Sequence, residues 1–225
     1  MTKKIILAGS EGLLGSSIKK HLTQEGHEIL SLDLTLGHDL SDEKFVKKWF
    51  SENPADSLIN TFAIDDTVKN PAQKNSLDVE LTEFSKVIDV NVTTLFSVCR
   101  EYIRNNKEGN IVNFSSIYGV VSPRKDMYGD REKFIAYGVS KAAVIQLTRH
   151  LSVHFAPNFL INCLVLGGVR NNQADSFVDA YSKNAPLSRM MEATEVNNFI
   201  SYLIDGSNTY GTGSSFVFDG GWTAW

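Results

Sequence analysis

The chain has 225 residues, of which 42% are hydrophobic and 21% are charged, and its net charge is −4 at pH 7. This length and composition predict a globular protein with one large domain or two small ones. The negative charge disfavours a nucleic-acid partner, which normally requires a basic surface. Residues 5–8 are apolar and follow two lysines, but the run ends at Gly9. It is therefore too short for an export signal or a membrane span.

Cys99 and Cys163 each lie within an apolar pattern, with no second cysteine or histidine at metal-ligand spacing. This pattern predicts buried, reduced thiols and a cytoplasmic protein. The 5 histidines also lack ligand spacing, so the sequence predicts no metal site.

A glycine-rich turn follows the first predicted strand, residues 4–8, and precedes a predicted helix. Its glycines are Gly9, Gly12 and Gly15, and Leu14 begins the apolar side of the helix. Glycines at such a turn let backbone N–H groups approach a pyrophosphate, whose charge the helix N-terminus favours. The turn therefore predicts a dinucleotide-binding loop, with a ligand-free strand–helix turn as the alternative.

The second predicted strand, residues 28–32, is followed by Asp33. A carboxylate about 20 residues beyond the glycines can bind the adenosine ribose hydroxyls of a dinucleotide. It would repel the 2′-phosphate of NADP, and Glu11 adds a second negative charge in the turn, so the pattern favours NAD. A solvated aspartate at a strand end is the alternative.

The interval from Asp33 to Asp39 leaves no room for a full helix, so a third strand in this region is predicted to be short or missing. An amphipathic helix is predicted to open at residues 39–41, where Asp39 or Ser41 can act as its N-cap. The next predicted strand covers residues 56–63.

A long predicted helix, about residues 78–104, has an apolar seam that Asn91 interrupts. The other seam residues are Leu81, Phe84, Ile88, Leu95, Val98 and Tyr102. A buried amide without partners costs ~1–3 kcal/mol. Asn91 is therefore either a satisfied core residue or a residue placed for a functional water.

Ser116 follows the strand predicted at residues 109–114, and a polar insert, residues 122–133, separates it from another helix. That helix places Tyr137 and Lys141 one turn apart on a face that is otherwise apolar. A tyrosine ionises near pH 10, so a base near neutrality needs a pKa depression of roughly 3 units, or ~4 kcal/mol. An adjacent ammonium can supply part of that depression; an ordinary surface pair is the alternative.

Further strands are predicted at residues 160–166, ahead of Val169, and at 215–218, with a helix at about 192–204 between them. Strands and helices thus alternate over the whole chain. The alternation predicts one doubly wound α/β domain over residues 1–225, with a central parallel sheet and helices on both faces.

Taken together and in order, these motifs resemble the short-chain dehydrogenase/reductase family over essentially the whole chain. The resemblance rests on the glycine turn, Asp33, Asp39, Leu40, Asn60, Asn91, Ser116, Tyr137, Lys141, Gly167, Gly168, Val169 and the Asp219-Gly220-Gly221 end of the last strand. It implies a Rossmann-type domain and an NAD(H)-dependent oxidoreductase that interconverts an alcohol and a ketone.

The resemblance also implies catalytic roles for four residues. Tyr137 would exchange the proton of the substrate oxygen, and Ser116 would hydrogen-bond that oxygen. Lys141 would lower the pKa of Tyr137 and hold the nicotinamide ribose. Asn91 would hold a water that links Lys141 to solvent.

Cofactor contacts are implied as well. Asp39 and Leu40 would contact the adenine, Asn60 and Ala63 would line the groove, and Val169 would meet the nicotinamide amide. Gly9, Gly12 and Leu14 would form the pyrophosphate turn. The chain departs from the family pattern in its glycine spacing and in Thr61-Phe62, which predicts a tighter groove.

The insert and the Trp-rich end resemble bacterial members that modify sugars and surface glycans, which suggests a sugar or nucleotide sugar as the small-molecule substrate. Basic residues of the insert, Arg124, Lys125, Arg131 and Lys133, could meet an anion, or the insert is a solvated lid. The family resemblance further implies a homodimer or homotetramer. The alternative function is a non-catalytic, NAD-binding homologue that serves as a scaffold.

Overall fold

The computed structural model describes residues 2–65 and 75–225 and contains one parallel sheet of six strands. The strands are β1 Lys4–Ala8, β2 Glu28–Leu32, β3 Ser57–Asn60, β4 Gly109–Ser116, β5 Phe159–Leu166 and β6 Ser215–Phe218. Their order across the sheet is β2-β1-β3-β4-β5-β6, and every neighbouring pair is parallel.

The described α-helices are α1 Leu13–Gln24, α2 Glu43–Glu52, α3 Leu81–Ile88, α4 Leu95–Asn105, α5 Ile135–Phe155, α6 Asp175–Asn184 and α7 Asn197–Ile204. A π-helical segment, Asp89–Thr94, joins α3 to α4. Within the described ranges, no helix has the length and apolar character that crossing a bilayer requires.

Both faces of the sheet are covered by helices. One core cluster joins the strands to α2, α4 and α5 through residues such as Phe50, Tyr102 and Val144. A second cluster joins the other face to α1 and α7 through residues such as Ile18 and Ile200. The predicted doubly wound α/β fold is therefore confirmed.

The sheet reverses its winding direction between β1 and β3, because β2 lies on one side of β1 and all later strands lie on the other. In doubly wound sheets, ligands bind beyond the carboxyl ends of the strands at such a point. The residues that follow β1, β3, β4 and β5 therefore surround the candidate site.

Between β2 and α2 the structure has a short 3₁₀ turn, Leu34–Leu36, and no strand, as the short interval predicts. The predicted cap of α2 is wrong: Asp42, and not Asp39 or Ser41, accepts hydrogen bonds from the first-turn backbone. Asp39 instead accepts bonds from its neighbour Ser41.

The predicted helix 78–104 differs from the structure in phase. Leu81, placed on the buried seam, is 80% exposed, while Val87 is fully buried. The π-helical segment adds a residue to one turn. Residues before it that are assigned to the buried face by regular α-helical spacing, such as Leu81, therefore lie on the solvent face. Residues 170–190, between the predicted strand 160–166 and the predicted helix 192–204, also contain the helix α6, which the sequence analysis does not predict.

Candidate active site

The glycine turn packs tightly against the end of β3. Gly9 has φ of +83°, and a Cβ there would lie 2.6 Å from the Phe62 nitrogen. A Cβ at Gly15 would lie 1.9 Å from the Gly9 carbonyl oxygen. Gly12 has more open space and precedes α1, whose N-terminus no side chain caps. The turn thus leaves an open helix N-terminus of the kind that binds phosphate.

Asp33 ties the end of β2 to the glycine turn. Its Oδ2 accepts a hydrogen bond from the Glu11 backbone at 3.0 Å, and its Oδ1 accepts two from Thr35. Burial opposes ionisation, but these bonds outweigh it and lower the pKa of Asp33. An ionised carboxylate offers about four acceptor sites, so one ribose hydroxyl can be accepted without losing these contacts.

The carboxylate of Glu11 is neutralised by Lys19, whose ammonium lies 2.8 Å from Glu11 Oε1. The hydrogen bonds from Lys19 and Ser10 lower the pKa of Glu11. Glu11 therefore contributes less repulsion toward a 2′-phosphate than the sequence pattern alone predicts, and Asp33 is left as the main negative charge.

Asn60 lies in the core and not on a cleft wall. Its amide donates to Asn113 Oδ1 at 2.9 Å and contacts Cys99 Sγ, and Asn113 in turn donates to Thr148. The side chain is 2% exposed. A cofactor contact at this position would therefore have to come from the Asn60 backbone.

Asn91 is a satisfied core amide, one of the two alternatives that the sequence leaves open. Its Oδ1 accepts from the Ile64 nitrogen at 2.8 Å, and its Nδ2 donates to the Ile64 carbonyl and to Ser140 Oγ. It thereby joins the π-helical segment to the chain after β3 and to α5.

A cleft of about 600 Å³ opens at the carboxyl ends of the strands and brings together six of the thirteen predicted site residues. Its lining includes the predicted residues Leu14, Ala63, Ser116, Tyr137, Lys141 and Val169. The side chains of Asp33, Asp39, Leu40 and Asn60 are not part of this lining.

Tyr137 and Lys141 lie one turn apart on α5, as predicted. The Lys141 ammonium is 5.7 Å from the centre of the Tyr137 ring and donates to the Phe114 carbonyl at 3.0 Å. Burial lowers the pKa of Lys141 to about 8. Burial and the nearby Asp65 carboxylate raise the pKa of Tyr137, and a hydrogen bond with Ser116 opposes that rise.

The net shift at Tyr137 is thus opposite to the depression that the sequence analysis expects. The phenol loses its hydration on burial, and the Lys141 ammonium bonds a backbone carbonyl instead of the phenol oxygen. A lowered pKa at Tyr137 through Lys141 stays a prediction for the ligand-bound protein.

An ion pair lies beside Tyr137. Lys133 of the insert pairs with Asp65, which follows β3, and its ammonium is 4.9 Å from the centre of the Tyr137 ring. Asp65 was not anticipated from the sequence. The signal was available, because acidic residues just beyond a strand end are placed at the cleft of a parallel sheet.

Aromatic residues form one wall of the cleft. The Tyr118 and Tyr128 hydroxyls lie 2.7 Å apart, and Phe177 of α6 packs against the Tyr128 ring. Tyr181 accepts a hydrogen bond from the Gly168 nitrogen and stacks on Trp222. The insert, α6 and the final turn thus share a small core of their own.

Comparison with known proteins identifies the family. A family model described as Enoyl-(Acyl carrier protein) reductase matches residues 13–223. The chain belongs to the short-chain dehydrogenase/reductase family.

Two curated relatives share about a third of their aligned residues with this chain. Post-translational flagellin modification protein A of Campylobacter coli is 30% identical over 125 residues, which cover 54% of this chain and 49% of that protein. The 3-alpha-(or 20-beta)-hydroxysteroid dehydrogenase of Mycobacterium tuberculosis is 32% identical over 151 residues, which cover 65% of this chain and 55% of that protein. The chain therefore spans about half the length of these curated relatives.

Among solved structures, the fold is similar to a short-chain dehydrogenase from Leptospira borgpetersenii with bound NAD⁺. The TM-score is 0.89 at 25% identity, and the match covers 99% of this chain and 93% of that one.

Proposed function

We propose that this protein is an NAD(H)-dependent oxidoreductase that interconverts an alcohol and a ketone by hydride transfer, with Tyr137 as the acid/base. The observation that supports this best is the convergence of Ser116, Tyr137 and Lys141 in one cleft at the carboxyl ends of the strands. Ser116 ends β4, whereas Tyr137 and Lys141 lie on α5, so proximity in sequence does not explain why Ser116 is grouped with the other two.

The residues present fit a nicotinamide dinucleotide. The open N-terminus of α1 beyond Gly12 offers backbone donors for a pyrophosphate. Asp33 keeps an acceptor site for the adenosine ribose, and its negative charge favours NAD over NADP. Val169 and Lys141 line the same cleft as Tyr137, where they would meet the nicotinamide and its ribose.

Within this proposal, the bound nicotinamide supplies or accepts the hydride. Ser116 Oγ holds the substrate oxygen by a hydrogen bond, and Tyr137 gives or takes the proton at that oxygen. General acid/base catalysis of this kind contributes about 10²–10⁴-fold in rate. Lys141 stabilises the phenolate that forms, because an opposite charge within a few ångströms favours the ionised state.

The proposed substrate class is a sugar or nucleotide sugar. Similarity to a glucose 1-dehydrogenase of Gluconobacter oxydans, 29% identical over 199 residues, supports a sugar. Aromatic rings with paired hydroxyls, such as Tyr118 and Tyr128, also suit a hydroxylated ring, since the rings stack and the hydroxyls hydrogen-bond.

Replacing Tyr137 by Phe tests the function. The ring still packs, but the exchangeable proton is lost, so we expect hydride transfer to fall at least 10²-fold while NAD affinity changes little. NADH absorbance measures turnover on a panel of sugars, nucleotide sugars and ketones, and fluorescence titration measures NAD binding. Tyr210→Phe, at a fully exposed position, is the matched control.

The outcomes separate the two candidate functions. Near-normal turnover by Tyr137→Phe would reject Tyr137 as the acid/base. Tight NAD binding by the wild type without hydride transfer on any substrate of the panel would favour the non-catalytic scaffold.

A further inference from the structure

We infer that Lys133 forms a binding site for an anionic group of the substrate, a carboxylate or a phosphate, inside the cleft. This inference rests on the proposed oxidoreductase function, and it defines the substrate as a hydroxylated acid or phosphate ester.

Lys133 lies close to the proposed acid/base. Although it belongs to a polar insert, its side chain is only 10% exposed. Its ammonium is 4.9 Å from the centre of the Tyr137 ring, and both residues line the same cleft. One small molecule can therefore reach the Tyr137 hydroxyl with its reacting oxygen and Lys133 with a charged end.

Asp65, a counter-ion of Lys133, is much more exposed than the ammonium it pairs with. Asp65 pairs with this ammonium, but its own side chain is 69% exposed. A buried cation needs an opposite charge beside it, whereas an exposed carboxylate loses little when it returns to water. An incoming anion can therefore take the place of Asp65 at low cost, while Lys133 keeps a partner throughout.

The other basic residues of the insert do not share this position. Arg124 pairs with Asp126 on the exposed surface. Arg124, Lys125 and Arg131 line a neighbouring groove, and none of them belongs to the lining of the cleft that holds Tyr137. Of the four basic residues of the insert, only Lys133 is thus placed to meet a reacting substrate.

Neutral donors and acceptors complete the site. The paired hydroxyls of Tyr118 and Tyr128 line the cleft together with Lys133. Hydroxyl pairs can both donate to and accept from substrate hydroxyls. The cleft therefore combines one cation with hydroxyl recognition, which matches a polyhydroxylated anion better than a neutral sugar or an apolar ketone.

The test is binding of three probes that share a carbon skeleton: gluconate, glucose 6-phosphate and glucose. Isothermal titration calorimetry measures each dissociation constant for the full chain, with and without saturating NADH. We expect gluconate or glucose 6-phosphate to bind wild type at least tenfold more tightly than glucose, and the tighter of the two identifies the group as carboxylate or phosphate.

Two variants should act in opposite directions. Lys133→Met should remove the tenfold preference for the anion. Asp65→Asn should strengthen anion binding at least threefold, because one competing carboxylate is gone. Lys125→Met, at an exposed position of the same insert, should leave the three affinities unchanged.

Equal binding of glucose and both anions by the wild type, or an unchanged preference in Lys133→Met, would overturn the site. So would weaker anion binding in Asp65→Asn, since that result would make the ion pair a structural contact. Failure of NADH to bind would instead count against the proposed oxidoreductase, while titration of the NADH-free protein would still report on Lys133.

Discussion

The proposed catalytic residue Lys141 lowers the stability of the folded protein. Its ammonium is buried, and its pKa falls from 10.5 to about 8. The unfolded state therefore binds this proton more tightly than the folded state, so the penalty is fully present below about pH 8. It fades as the pH rises toward 10.5, where both states are neutral.

We expect Lys141→Met to raise the stability of the protein by about 2 kcal/mol at pH 7, even though activity is lost. The shift of the Lys141 pKa from 10.5 to about 8 corresponds to a destabilisation of roughly 3 kcal/mol. The variant also loses the hydrogen bond to the Phe114 carbonyl, which offsets about 1 kcal/mol of the gain. Thermal unfolding at pH 7 and pH 10 measures the gain, which should shrink at the higher pH. Lys107→Met, at an exposed position, is the control.

A gain that is independent of pH would show that packing, and not the buried charge, sets the stability difference. Destabilisation of the variant at pH 7 would mean that the hydrogen bond to the Phe114 carbonyl fully offsets the free-energy cost of burying the Lys141 ammonium.

Cofactor choice is also decided by single residues. We expect NAD to bind at least tenfold more tightly than NADP, or ~1.4 kcal/mol, because the Asp33 carboxylate would repel a 2′-phosphate. Asp33→Ser should narrow the difference. Glu11→Gln should change it much less, since Lys19 already neutralises Glu11. Fluorescence titration of both cofactors measures the affinity ratio for each of the three proteins, and equal affinities in the wild type would refute the role of Asp33.

At the scale of elements, Asn91 joins three of them. Asn91→Leu would leave the backbone N–H and C=O of Ile64 without their hydrogen-bond partner. Unsatisfied buried polar groups lower the free energy of unfolding by ~1–3 kcal/mol. We expect a loss of unfolding free energy of that size in chemical denaturation, together with faster hydrogen exchange at residues 61–65. Ser140→Ala removes one bond of the same amide and should cost less.

A cost for Ser140→Ala that equals the cost for Asn91→Leu would place the important contact on α5 and not on the chain after β3.

The strands were predictable from the sequence because each contains a short apolar run with glycine or polar residues around it. β1, β2 and β6 have the predicted bounds. The phase of α3 was not predictable, because a π-helical turn depends on how Asn91 is held by a distant backbone. The pair Lys133–Asp65 was equally hidden, since its partners are 68 positions apart and their contact depends on the path of the insert.

At the scale of the whole molecule, two helices present an unpaired apolar surface. Phe96 of α4 and Val139 of α5 are each more than 40% exposed, and Val153 near the end of α5 is 75% exposed. We expect these helices to pair with a second copy across a two-fold axis. The double variant Phe96→Glu, Val139→Glu should be monomeric by light scattering at micromolar concentration.

Tyr210→Glu is the control, because this side chain is also exposed but belongs to neither helix. A wild-type protein that is already monomeric would count against the predicted homodimer or homotetramer.

The stacking of Trp222 on Tyr181 places a fluorescent side chain next to a residue of the cleft. The two rings lie 4.6 Å apart, and the same Tyr181 accepts the hydrogen bond from Gly168 at the cleft. Trp49 packs against the core on the α2 side, and Trp225 is largely exposed. The emission of the buried indole at Trp222 therefore depends on where α6 sits, so the protein contains its own fluorophore for following that helix without a label.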